Sequence, residues 1–113
     1  EGKSGSERID KIMNDFRQNP PASLADLKVT VREDYMTSER IISEREEKET
    51  IALPTSNVLK YTLENGAWVC IRPSGTEPKI KFYYGVKEAT ANKSNQLIKK
   101  LVNDMNERLA VLS

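Results

Sequence analysis

Between Val58 and Val86 three short runs of alternating apolar residues follow one another with almost nothing between them. Val58–Leu63 runs straight into Asn65-Gly66, a pair suited to a tight reversal because glycine accepts the left-handed backbone such turns need. Ala67–Arg72 comes next, with Ala67, Val69 and Ile71 on one parity and Trp68, Cys70 and Arg72 on the other. Beyond the turn at 74–78, Lys79–Val86 places Ile80, Phe82, Tyr84 and Val86 on one face and Lys79, Lys81 and Tyr83 on the opposite face. A period of two means a strand with one buried side. Links this short leave no room for a parallel crossover, so the three runs must be antiparallel neighbours.

Helical patterns bracket these strands. Ile9, Ile12, Met13 and Phe16 fall at i, i+3, i+4 and i+7 and predict a helix over about 7–18, with Ser6 as N-cap and Asn19-Pro20-Pro21 as its stop. A hinge is expected before Ile9. Leu97, Ile98, Leu101, Met105, Leu109 and Leu112 form a continuous stripe and predict a second helix over about 91–111, capped by Asn92 or Ser94. Leu27, Val29 and Val31 alternate with Lys28, Thr30 and Arg32, which reads as a further strand with Tyr35 on the buried parity. Residues 36–50 are dominated by Glu, Arg, Lys and Ser around the single apolar pair Ile41-Ile42. Mixed charge without a clear period predicts a solvated, mobile loop, with a short helix as the alternative. The resulting fold class is α+β: a four-stranded, mainly antiparallel sheet with two helices packed on one face and the other face more open.

Composition narrows the function classes. At 113 residues one domain is expected. The net charge of +1 lacks the basic excess of a general nucleic-acid binder. With no histidine, the commonest general base and metal ligand is missing. Cys70 is the only cysteine, so no intrachain disulfide can form, and a lone thiol suits a reducing compartment. No apolar run approaches a membrane span. Glu1–Ser6 is polar, has no signal-peptide core, and reads as a linker or an expression remnant ahead of a domain at 7–113. A cytoplasmic protein, or a fragment of one, is expected.

The turn Arg72-Pro73-Ser74-Gly75-Thr76-Glu77-Pro78 concentrates the chemistry. Arg72 ends a strand, so its base is anchored while its planar fork, which matches two phosphate oxygens, reaches the turn. Ser74 and Thr76 add hydroxyl donors, and Gly75 is expected to supply a positive φ or a close backbone approach. Glu77 works against an anion unless it pairs with a lysine or a ligand hydroxyl. The competing explanation is an ordinary hairpin bend, since Gly, Pro and Ser dominate turns for conformational reasons alone.

This seven-residue string, followed by Lys79-Ile80-Lys81-Phe82-Tyr83-Tyr84, resembles the C-terminal (fourth) domain of the α-D-phosphohexomutases, the phosphoglucomutase and phosphomannomutase superfamily. The resemblance covers nearly the whole chain, most closely Leu53–Val86, and the Lys-Phe-Tyr-Tyr-Gly-Val tail is closer to the glucose/mannose branch than to the glucosamine branch. It implies a fold like that of the TATA-box-binding protein. It also implies that Arg72, Ser74, Gly75 and Thr76 grip the phosphate of the hexose phosphate that is not reacting. Some members add an arginine from the next strand, and Lys81 is the nearest position here. The serine, magnesium and sugar-hydroxyl loops of that family are absent, and Asp26, Asp34 and Asp104 are too scattered for a metal site. Magnesium is therefore expected only outside this chain. The implied partners are hexose phosphates (glucose 1-phosphate, glucose 6-phosphate or mannose equivalents) and the other domains of one enzyme, with no membrane and no nucleic acid. Alone, the domain should bind phosphate weakly and catalyse nothing.

Two other classes compete. An open sheet face carrying Trp68, Tyr83, Lys79, Lys81 and Arg72 would suit single-stranded nucleic acid, although packing explains the aromatics as well. The lysines at 93, 99 and 100 beside the last helix's stripe would suit a protein-interaction domain, although a solvated face over a core stripe explains them without a partner.

Overall fold

A computed structural model describes residues 2–112. The elements in order are α1 (Gly2–Gln18), β1 (Ser23–Leu24), β2 (Leu27–Asp34), β3 (Glu39–Ile42), β4 (Glu47–Thr50), β5 (Leu59–Leu63), β6 (Trp68–Pro73), β7 (Ile80–Gly85) and α2 (Ala91–Leu112). The sheet runs β4-β3-β2-β5-β6-β7, with β1 paired to β2, and every pairing is antiparallel. The α+β class holds. The four-stranded sheet does not: seven strands are present among the described residues.

Two of the three added strands come from the segment expected to be a loop, and the third is the short β1. Residues 39–50 form the β3–β4 hairpin, an antiparallel ladder whose charges are matched across the strands. Arg40 stands opposite Glu33 on β2 and opposite Glu49 on β4, and pairs with both, at 2.9 and 3.2 Å. Lys48 pairs with Glu39 at 3.0 Å. Opposite charges facing across strands support a ladder, so a run that looked aperiodic along the chain is ordered across it. Glu46, with φ 50°, makes the reversal.

One buried cluster joins both helices to the same face of the sheet. Ile9, Ile12, Met13 and Phe16 of α1 and Leu97, Leu101 and Met105 of α2 meet Leu59, Tyr61 and Leu63 of β5 and Val69 and Ile71 of β6. Ile80, Phe82 and Tyr84 extend it as expected from their parity. Phe16 and Tyr61 lie 6.2 Å apart, and the Arg108 guanidinium sits 4.1 Å above the Phe16 ring while pairing with Asp15. Among the described residues, no helix is long and apolar enough to cross a membrane.

Three local expectations change. α1 begins at Gly2, not near residue 7, so Ser6 is inside the helix rather than capping it and no break precedes Ile9. Gly5 lies within this first part of the helix, and its bare backbone packs on Pro78, with which a Cβ would collide. The cap of α2 is Thr90, whose Oγ accepts the Lys93 N–H at 3.1 Å, rather than Asn92 or Ser94. In β2 a bulge separates Val29, opposite Leu63, from Val31, opposite Thr62. Val29 is buried with the helices, whereas Val31 stands on the open face beside Ile42. Alternation through Thr30 therefore gives the wrong side for Val31 and Tyr35.

Candidate functional site

The open face is built in cross-strand rows. One runs Glu49, Arg40, Glu33, Lys60, Cys70, Tyr83, and the next Ile42, Val31, Thr62, Trp68, Gly85. Glu33 is 8% exposed, held by Arg40 on one side and facing Lys60 on the other. Lys60 also lies 5.1 Å from the Trp68 ring. Burial pushes the Cys70 thiol above its ordinary value, against the pull of Lys60 and Arg72. Burial first, and the neighbouring Glu33 carboxylate second, raise the Tyr35 phenol.

At the end of this face, β6 and β7 diverge into the 74–79 turn. Arg72 and Lys81 are direct partners in the ladder, and both are exposed. Like charges placed opposite each other on one face repel. Neither has an ion-pair partner among the described residues. They line a concavity of about 210 Å³ together with Pro73, Ser74, Gly75 and Tyr83. No carboxylate lines it. Glu77, the one acidic side chain of the turn, pairs with Lys79 at 3.2 Å and does not line the concavity.

Backbone bonds fix the turn. The Ser74 N–H donates to the Lys79 carbonyl at 2.8 Å, and the Lys79 N–H donates to the Glu77 carbonyl at 2.8 Å. Ser74 Oγ accepts from the Thr76 and Glu77 N–H groups at 3.4 and 3.3 Å, which folds the loop back on its own serine. The hydroxyl still has its proton to donate outward. Gly75 is not in the left-handed region, contrary to the conformational reason expected for it. Its value is space: no atom lies within 4 Å of where a Cβ would stand. A ligand can thus approach its backbone directly.

Of the five residues singled out in the sequence, Arg72, Ser74, Gly75 and Lys81 meet in this concavity and Thr76 does not line it. Lys79 is engaged by Glu77. Tyr83 also lines the concavity, and its parity with Lys81 is the sequence signal for it. The contact of Gly5 with Pro78 had no signal in the sequence. Among the described residues, no group of three or more Asp, Glu, Cys or His side chains converges where it could hold a metal ion. Magnesium thus finds no ligand set among the described residues.

The 74–79 turn, flanked by Arg72 and Lys81, closes one end of an antiparallel sheet with two helices behind it. The family described as "Phosphoglucomutase/phosphomannomutase, C-terminal domain" matches residues 13–101. Phosphoglucomutases of Staphylococcus aureus strains MRSA252, USA300 and COL are each 41% identical over 102 residues, which is 87% of this chain and 18% of theirs. The chain therefore spans less than a fifth of the length of these curated relatives. No solved structure matches it. Matched over most of its length, the chain belongs to the phosphoglucomutase/phosphomannomutase family, as that family's C-terminal domain.

Proposed function

We propose that this domain holds the non-reacting phosphate of a hexose phosphate during 1,6-phosphoryl transfer within a larger phosphohexomutase. The observation that carries the reading is the ladder pair Arg72–Lys81: two cations forced together, with no carboxylate in their concavity. An anion between them turns a repulsion into two charge-assisted contacts. Arg72 supplies a fork, Lys81 a point charge, Ser74 a hydroxyl donor, and Gly75 open backbone. Thr76 joins them if the turn closes on the ligand. The concavity is smaller than the roughly 300–1,000 Å³ of sites that enclose a whole small ligand, so it holds one end of the molecule.

In this reading the chain performs no covalent step. Its domain, 7–113 with the preceding turn of α1 as its connection, positions the sugar while other domains supply the serine and the magnesium. Fixing the distal phosphate removes rotational freedom from the reacting hydroxyl, and much of phosphoryl-transfer catalysis is positioning of this kind. A bisphosphorylated intermediate would present either end to the same cradle. The setting is cytoplasmic, the partners are the glucose or mannose phosphates and the enzyme's own domains, and the sheet retains a likeness to the TATA-box-binding protein fold. A nucleic-acid face is the weaker reading, because Trp68 is occupied by Lys60 and Gly85.

The test is a backbone-amide NMR titration of the chain with inorganic phosphate, glucose 1-phosphate and a short oligonucleotide. Shifts centred on Ser74–Lys79 with either phosphate, and not with the oligonucleotide, are expected. Arg72→Ala should weaken the response by about 1.5–3 kcal/mol, the range for a hydrogen bond to a charged group. Silence of these amides at tens of millimolar phosphate would sink the reading.

A further inference from the structure

Tyr83 lines the same concavity as Arg72 and Lys81, yet nothing in the domain accounts for its position. It is 43% exposed, on the edge strand β7. Its ladder partner is Cys70, and its next neighbour along this face is Gly85, which has no side chain. Among the described residues its side chain has no hydrogen bond, ion pair or ring contact. The apolar partners of this strand, Ile80, Phe82 and Tyr84, all point the other way, to the core. A large, partly exposed ring thus lies beside two cations that have no ion-pair partner among the described residues. Residues two apart on one strand face are roughly 6.5–7 Å apart, so an anion at Lys81 leaves one ring's width between itself and Tyr83.

We propose that the Tyr83 ring is the platform for the sugar of the phosphosugar, with the C–H face of the pyranose laid on the aromatic face and the phosphate reaching back to Arg72 and Lys81. The inference rests on the phosphate reading above and deepens it: the cations take the anion, and Tyr83 distinguishes a hexose phosphate from bare phosphate. Aromatic rings serve such surfaces well, because they offer a large rigid apolar area at little entropic cost. The phenol oxygen is not required.

The experiment titrates the unsubstituted chain, Tyr83→Ala and Tyr83→Phe with inorganic phosphate and, separately, with glucose 1-phosphate, following the Ser74–Lys79 amides. Tyr83→Ala should weaken glucose 1-phosphate roughly 3–10-fold and leave inorganic phosphate unchanged, while Tyr83→Phe should behave like the parent with both. Equal weakening of both ligands by Tyr83→Ala would overturn the proposal, because the ring would then only shape the cradle. Loss in Tyr83→Phe matching that in Tyr83→Ala would overturn it in favour of the hydroxyl. Tyr83→Ala binding glucose 1-phosphate as the parent does would overturn it outright while phosphate binding stands. If the parent chain answers neither ligand, the phosphate reading falls first and this inference with it.

Discussion

The Trp68 indole occupies the volume where a Cβ on Gly85, its partner across β6 and β7, would stand. Trp68 in turn carries Lys60 near its ring. The glycine is thus a seat for an aromatic on the open face rather than a point of weakness in the strand. Gly85→Ala should destabilise the chain by about 1–3 kcal/mol, as overpacking does, and should shift the tryptophan emission. Urea denaturation followed by fluorescence gives both readouts, and an unchanged midpoint would refute the packing argument.

Arg40 is the partner that keeps Glu33 tolerable on the open face. Their side chains are 36% and 10% exposed, so the penalty for breaking the pair lies well below that of a fully buried one. Arg40→Ala should cost about 1–2 kcal/mol. Adding Glu33→Gln to that variant should restore part of the loss, since the stranded carboxylate is then gone. A double-mutant cycle by chemical denaturation reads the coupling directly.

How much of this could be read from the residues alone follows from what periodicity reports. The β5–β6–β7 meander and both helical stripes were legible, because each is written within a few neighbouring positions: Val69 and Ile71 are buried and Leu97, Leu101 and Met105 face the core as their spacing requires. The β3–β4 hairpin was not legible. Its order depends on Arg40 meeting Glu33 and Glu49 across strands, and one-dimensional periodicity has no access to cross-strand partners. At the turn, Arg72, Ser74, Gly75 and Lys81, expected together, line one concavity with Tyr83, and Gly75 keeps the open backbone but not the positive φ.

Alkali should unfold this domain early. Burial raises the Tyr35, Tyr61 and Tyr84 phenols and the Cys70 thiol above their ordinary values, Tyr61 most of all. The folded chain then keeps protons that the unfolded chain releases. Stability contributed by these groups is whole below the unfolded values of about 8.5 for Cys and 10 for Tyr, and declines as pH rises past them. Urea midpoints should fall between about pH 8 and 10.5, and phenolate absorbance should rise in step with unfolding. Simple titration of all the tyrosines at an ordinary pH, with the fold intact, would contradict this.

Gly5 touches the 72–78 turn through Pro78. Gly5→Ala gains about 1 kcal/mol of helix propensity and loses it to the collision with Pro78. Net stability should change little, while the Glu77 and Lys79 amides shift without any ligand and the phosphate response weakens. Ligand-free spectra that superimpose on the parent's would show that α1 does not seat the turn.

The bulge in β2 gives a central strand one residue of slack. Strands flanked on both sides are usually intolerant of a change in length, because losing one residue turns everything beyond it over. Here Val29 already faces Leu63 and Val31 already faces Thr62 with Thr30 left over. Deleting Thr30 would sacrifice its hydroxyl bond to the Thr62 carbonyl and its carbonyl's bond from Ser43, yet leave each neighbour opposite its present partner. Deleting Arg32, two positions on, would invert Glu33 and Asp34 and break both the Arg40 and the Arg17 pairs. Thermal melts of the two deletions would separate them. The domain's length is thus adjustable at one point inside its sheet, not only in its loops.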